Sequence, residues 1–349
     1  MSGRLTIALD AMGGDHAPDM VVAGAELARV RHPGVDYLLF GDEQRIVPLL
    51  ANHPALRDIT TVIHTPDFVA ADAKPSVALR GGRNSSMRRA IDAVHDGRAG
   101  VVVSAGNTGA LMAMAKIVLK TLPGIDRPAI ASFFPTLRGE SVMLDLGANL
   151  ECDADNLVQF AVMGAAFARS VLGLEQPTVG LLNVGSEEQK GHEPIREAAA
   201  RLRVLDLPLR FEGFIEGNDI GAGKVDVVVT DGFTGNVALK TAEGTAKFFS
   251  ELLRRTFQSS FLARVGYVLA RSAFAKLKAR TDPRRYNGAM FLGLRGICVK
   301  SHGGTDAVGF ANAICVAYDL AVQGFNDRVK EEMSHLHPAS GPGSETVTV

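Results

Sequence analysis

The chain has no tryptophan and three cysteines, Cys152, Cys298 and Cys315, among 349 residues. The cysteines are odd in number and widely spaced, and no C-x-x-C pair occurs. That excludes a disulfide framework and a zinc ribbon, and it fits a reducing cytosol. An excess of one charge is also missing. The 37 Lys and Arg nearly balance the 38 Asp and Glu, so a net charge of −1 excludes a whole-protein nucleic-acid binder. No uninterrupted apolar window of about 18 residues exists to span a membrane. Asp10, Asp15 and His16 interrupt the apolar stretch that a secretory leader needs. Several catalytic signatures are absent too. There is no Walker loop, no G-x-G-x-x-G and no H-E-x-x-H. Ser104 has Val102 where a nucleophile elbow requires glycine. A nucleotide kinase, a serine hydrolase and a metalloenzyme are disfavoured, and neither a metal nor a cofactor is expected.

What the chain has in quantity is glycine, 37 residues, and an apolar fraction of 46%. That apolar share supports a large core. Short apolar runs at 5–9, 37–40, 61–64, 100–104, 129–134, 141–146, 178–182, 210–215, 225–230 and 296–300 read as strands. Between them, amphipathic stretches such as 19–30, 85–95, 156–171 and 305–322 read as helices. This rhythm predicts an α/β, Rossmann-like layered fold with a largely parallel sheet. Near 248 the pattern changes to continuous helix signals with strong positive charge, a helical extension over 245–285. One catalytic domain is expected over 1–334, with a disordered tail over 335–349.

The chemistry gathers in loops that follow strands. In "ALDAMGGDHAPDM" (8–20) an apolar run ends in Asp10, Gly13, Gly14, Asp15 and His16 before Pro18 opens a helix. The glycines let another group approach the backbone. "SAGNTGA" (104–110) sets Ser104, Asn107, Thr108 and Gly109 at a helix N-terminus, where free N–H groups and the helix dipole favour an anion. "DLGAN" (145–149) carries Asn149, and "NVGSEEQKGH" (183–192) carries Asn183 and Lys190. "TDGFTGNVALK" (230–240) carries Asp231, Gly232, Gly235 and Asn236, and "SHGGTD" (301–306) carries His302. Singly, each Asn or Thr reads as a helix cap and Lys190 as a solvated charge. Ligands of open α/β sheets bind at the carboxyl ends of strands, so together these loops predict one shared cleft. Its lining is amides, hydroxyls and a lysine, with no protein nucleophile. The reaction class that fits is attack by phosphate itself on an activated acyl group.

Over 5–323 the sequence resembles the bacterial phosphate acyltransferases of phospholipid synthesis. The resemblance rests on "ALDAMGGDHAP" (8–18), "SAGNTGAL" (104–111), "LDLGAN" (144–149), "LLNVGSEEQKG" (181–191), "DVVVTDGFTGNVALKTAEG" (226–244) and "YNGAMFLGLRG" (286–296), six motifs in order. The chain departs from the family pattern at Gly81-Gly82, Asn287 and Gly304. The resemblance implies the phosphotransacetylase and isopropylmalate dehydrogenase superfold. It implies a cytoplasmic homodimer, peripherally associated with the membrane, that forms acyl-phosphate from acyl-acyl carrier protein and inorganic phosphate. It also implies Lys190, Asp231 and Asn236 as catalytic residues. Lys190 would hold the phosphate charge and then the tetrahedral oxyanion, Asn236 would donate to that oxyanion, and Asp231 would orient Lys190. The amides of Asn107, Thr108 and Gly109 would cradle phosphate, and Asp10 and His16 would shape the first loop. A coenzyme A-dependent phosphate acetyl- or butyryltransferase of the same superfold is the alternative. A decarboxylating dehydrogenase needs a metal-binding carboxylate cluster and a Tyr/Lys pair, a setting that Tyr37, Tyr267, Tyr286 and Tyr318 lack.

Between Leu252 and Thr281 there are seven Lys/Arg and no Asp or Glu. Apolar residues recur there at helical spacing, and Gly266 is expected to break the run into a hairpin. One reading is a packing or dimer face. The other is a basic amphipathic surface for anionic lipid, with Phe257, Phe261, Leu262 and Val265 as membrane contacts.

Overall fold

A computed structural model describes residues 4–280 and 282–336. The first half repeats strand and helix: β1 (Leu5–Asp10), α1 (Asp19–Arg31), β2 (Val35–Gly41), α2 (Glu43–Leu50), α3 (Pro54–Arg57) and β3 (Thr60–His64). Two helices, α4 (Pro75–Gly81) and α5 (Ser86–His95), lead to β4 (Val101–Ser104) and α6 (Thr108–Leu119). A hairpin of β5 (Ala129–Thr136) and β6 (Gly139–Leu144) precedes α7 (Ala154–Leu172), β7 (Thr178–Leu182), α8 (Glu193–Val204), β8 (Arg210–Ile215), α9 (Gly217–Ala222) and β9 (Val227–Val229). The extension is α10 (Gly232–Gln258), α11 (Phe261–Leu269) and α12 (Arg271–Arg280). The chain then returns through β10 (Ala289–Leu292), β11 (Ile297–Lys300), α13 (Ala307–Val322) and α14 (Phe325–Leu336). The tail expected from 335 thus begins as the last turn of α14, and 337–349 lie outside the described residues.

All strands join one sheet in the order β3-β2-β1-β4-β11-β10-β5-β6-β9-β7-β8. Seven of its ten ladders are parallel, as the strand–helix rhythm predicts. Alternate residues feed two cores. Ile7, Leu9, Val101, Val103, Val142 and Leu144 face α1, α7 and α13, while Ala8, Val102 and Met143 face the side of α5 and α6. With both faces covered, strands such as "VVV" at 227–229 are apolar throughout.

Strand β10 escapes sequence reading because "AMFL" is four residues between two glycines, too short for a period. It matters for the site. Ala289 pairs with Lys300 at the end of β11, and Leu292 pairs with Ala129 at the start of β5. Ala131 in turn pairs with Leu144 at the end of β6. Two parallel half-sheets therefore meet across antiparallel β10 and β5. At the centre of the sheet their carboxyl ends point to opposite edges.

The extension also differs from expectation. Gly266 lies inside α11, and the breaks fall at Ser259-Ser260 and at Ala270. Ser260 ends the earlier helix by capping the next, its hydroxyl accepting from the Ala263 N–H at 3.1 Å. A glycine inside a helix costs only about 1 kcal/mol, less than is needed to break one that is otherwise well formed. Phe257 does not share the face of Phe261. It packs inward, with ring centroids 4.9 Å from Phe274 and 5.7 Å from Tyr267.

Candidate active site

Two polar clusters form, each around a buried aspartate that ends the first strand of its half-sheet. In the first, Asp10 at the end of β1 accepts from the hydroxyls of Ser86 at 2.6 Å and Ser104 at 2.7 Å, and from the Met12 N–H at 3.3 Å. Burial pushes its carboxyl pKa up, and these hydrogen bonds oppose that shift. Ser104 in turn accepts from the Gly106 N–H at 3.0 Å. Ser104 is fully buried and occupied with Asp10, so it shapes the loop and does not meet a ligand. A side chain at Gly13 would strike both Asp10 and the Gly106 backbone, which is why the first loop needs glycine there.

The same cluster contains the α6 N-terminus. The Asn107 carbonyl oxygen Oδ1 caps Ala110 at 2.9 Å, and its Nδ2 donates to the Ala71 carbonyl at 2.7 Å. Its side chain is thus engaged. Thr108 and Gly109 are exposed, and their backbone N–H groups precede the first intrahelical bond, so both remain available. His302 closes the cluster. Its N–H donates to Asn287 Oδ1 at 2.8 Å, and its Nδ1 accepts from Gly304 at 3.2 Å. Asn287 also donates to the Ser301 hydroxyl at 2.8 Å, so this family departure is a buried brace. The Asp15 N–H donates to the Gly303 carbonyl at 2.9 Å, tying the first and last loops together, while the neighbouring Gly14 sits at φ +106° and His16 is exposed.

The second cluster sits at the ends of β6, β9 and β7. Asp145 accepts from the N–H groups of Ile130 (2.9 Å), Gly147 (3.2 Å), Ala148 (3.0 Å) and Asn149 (2.7 Å), and from Asn149 Nδ2 (2.9 Å). Asn149 is buried, and Nδ2 also donates to the Pro128 carbonyl at 2.9 Å, so it holds the loop. The segment read as a loop after β9 is the first turns of α10. Asp231 caps it, accepting from the Thr234 N–H and hydroxyl, both at 2.8 Å. Its carboxylate is engaged with Thr234, not with Lys190. Gly232 and Gly235 press against the backbone of Asn149 and Asp145. Asn236 is exposed and spends one N–H on the Leu146 carbonyl at 3.1 Å, leaving the other. Asn183 closes the next loop by donating to the Lys190 carbonyl at 3.1 Å. The Lys190 side chain is exposed and makes no hydrogen bond or ion pair among the described residues.

The loops expected to line one cleft thus divide into two hydrogen-bonded clusters. No hydrogen bond among the described residues joins the two clusters, and β10 and β5 stand between them. Sequence reasoning passes over Asp145, Ser86, Asn287 and Lys300. The available signal was an L-D pair ending an apolar strand before a glycine, present at both Asp10 and Asp145.

Cys152 lies beside this second cluster, its thiol near the Asn149 carbonyl. Burial, with the charges of Asp145 and Asp231 nearby, pushes its thiol up to about 12. A thiol so seldom ionised is a poor nucleophile. Cys152→Ser is expected to keep more than half of wild-type turnover. Abolished activity in a folded Cys152→Ser protein, or an acyl adduct trapped on Cys152, would contradict this.

The match to known proteins covers the whole of this architecture. The model of a family described as "Fatty acid synthesis protein" matches residues 5–328. The chain belongs to that family. A phosphate acyltransferase of Rhodospirillum centenum is 75% identical over 339 residues, covering 97% of this chain and 96% of its own length. One from Rhodospirillum rubrum is 65% identical over 336 residues, 96% of each. Among solved structures, a phosphotransacetylase from Streptococcus pyogenes superposes with a TM-score of 0.61 at 18% identity, covering 92% of this chain and 95% of that one. At that identity the likeness concerns the fold, and it is the superfold that the resemblance implied.

Proposed function

We propose that this acyltransferase moves a long-chain acyl group from acyl-acyl carrier protein to inorganic phosphate, forming acyl-phosphate. Acyl transfer to phosphate is the activity of its family. The observation that carries the reading is that the neighbouring strands β7 and β9 lead to an unbonded Lys190 ammonium and to the spare N–H of Asn236, beside a Cys152 thiol too seldom ionised to act as a nucleophile. A phosphate oxygen attacks the thioester carbonyl. The C–O bond forms as the π electrons move to oxygen, and Lys190 and Asn236 stabilise that oxyanion. Collapse breaks the C–S bond and releases the pantetheine thiolate, which takes up, through solvent, the proton that the acyl-phosphate gives up. Attacking oxygen, carbonyl and oxyanion donors must meet within about 3.5 Å, so they share one cluster. The other cluster, at the α6 N-terminus, offers free N–H groups to a second phosphate group of the substrates. Thioester absorbance loss, compared between acyl-acyl carrier protein and acetyl-coenzyme A in the presence of phosphate, tests the donor. The carrier-protein substrate is expected to show the higher kcat/KM. Preference for acetyl-coenzyme A would favour the short-chain alternative.

The extension supports peripheral membrane contact, and the homodimer remains what the family resemblance implies. Among the described residues no single helix is long and apolar enough to cross a membrane. Phe261 and Leu262 at the start of α11 are 78% and 80% exposed, and it is their grouping with other exposed apolar residues of the same helix that marks a surface patch. Val265, Val268 and Leu269 continue that face, and Arg264 and Arg271 flank it. Each cation near an anionic surface contributes about 1 kcal/mol, enough for reversible docking by a few. The double variant Phe261→Glu, Leu262→Glu is expected to leave anionic liposomes in a sedimentation assay while keeping its activity on carrier-protein substrate. Equal sedimentation of wild type and variant, both dimeric, would leave the face a packing surface.

A further inference from the structure

The mechanism above does not use Lys300, the last residue of β11. Its side chain is 8% exposed, an uncommon place for a lysine. The ammonium donates to the Ala105 carbonyl at 3.3 Å and to the Ser301 carbonyl. Ala105 begins the loop that ends in the free N–H groups of Thr108 and Gly109. Beneath that loop, Ser104 and Gly106 are tied to Asp10 through hydroxyl bonds. The loop is thus held from below by a carboxylate through Ser104 and by an ammonium through the Ala105 carbonyl. The groups facing Lys300 are Asp10 from β1, Asp15 from the first loop and Cys298 from its own strand. His302 lies two residues beyond it. The ammonium therefore balances the buried Asp10 carboxyl and satisfies two carbonyls at the end of β11, which fixes the position of the Ala105 backbone.

We propose that Lys300 is a positioning residue that holds the 105–109 loop in the geometry in which its N–H groups accept a substrate phosphate group. Sunk in low dielectric under a helix N-terminus, its charge adds to the positive end of the α6 dipole with little screening. The inference rests on the acyltransferase reading. The phosphate group has two sources, inorganic phosphate or the donor's phosphodiester, and kinetics distinguish them by which KM moves.

Burial lowers the Lys300 pKa to about 8, with Asp10 and Asp15 opposing the shift. Below that pH the ammonium bonds both carbonyls. Above it, the neutral amine still has two N–H groups, but it has lost its charge and the strength that charge gives both bonds, so the loop is held less firmly. Inorganic phosphate is by then mostly dianionic, so its own titration adds little in that window. One of the two KM values is therefore expected to rise as pH increases past about 8.

The test measures kcat and both KM values across this pH range for wild type, Lys300→Met and Lys300→Arg. Lys300→Met is expected to raise one KM about tenfold or more, with kcat little changed and the pH dependence gone. Lys300→Arg, whose guanidinium stays charged, is expected to keep a low KM and lose the alkaline rise. A folded Lys300→Met protein with both KM values at wild-type level would overturn the proposal. So would an alkaline rise that persists in Lys300→Arg, and that arm decides the matter if the methionine variant does not fold. A wild-type protein that loses no thioester in the presence of phosphate would instead overturn the acyltransferase reading.

Discussion

Alanine at Lys190 or at Asn236 is expected to lower turnover about 10²–10³-fold, the usual cost of one oxyanion donor. Neither change should disturb the fold. Lys190 makes no side-chain bond among the described residues, and Asn236 is exposed with a single bond to the Leu146 carbonyl. The Asn236 change removes one hydrogen bond worth about 1 kcal/mol, small against a total stability of about 5–15 kcal/mol. The double variant should be little worse than the more damaged single variant, because both donors serve one oxyanion. Turnover at saturating phosphate, beside a thermal melt, checks this. A folded variant with near wild-type rate would remove that residue from the reacting site.

Asp145→Ala is expected to give the opposite signature, loss of fold before loss of chemistry. The carboxylate receives five hydrogen bonds from four residues and is fully buried. Each buried donor left without a partner costs about 1–3 kcal/mol, and the loop can turn only some of them to water. A loss of about 3 kcal/mol or more is expected, a large part of the stability of an ordinary domain. Urea unfolding measures it directly. A variant within about 0.5 kcal/mol of wild type, the range of harmless surface changes, would mean that Asp145 does not organise this loop.

The contrast between these variants shows what a sequence can disclose. Motifs placed Lys190 in a loop after a strand and Thr108 at a helix start, as the structure has them, because strand–loop–helix rhythm is local, whereas Asn236, read in a loop, lies in α10. The layered fold was legible for the same reason, since alternate residues such as Leu9 and Ala8 feed opposite cores. The division into two clusters was not legible. It depends on β10, four residues whose antiparallel pairing with both β11 and β5 is a long-range fact. Roles within loops were hidden for a related reason. Asp231 and a ligand-orienting carboxylate look alike in sequence, and only the 2.8 Å bonds to Thr234 show which one it is. Lys300 ends an apolar strand and reads as an edge charge until its burial is seen.

The central claim is that phosphate itself takes the acyl group without a covalent acyl-enzyme. The most direct measurement incubates the purified protein with palmitoyl-acyl carrier protein and isotopically labelled inorganic phosphate, then separates the lipid products. The account predicts labelled palmitoyl-phosphate formed in step with free carrier-protein thiol, and none with Lys190→Ala on the same timescale. Thiol release that yields free palmitate with no label in the lipid fraction, or that proceeds equally without phosphate, would contradict it.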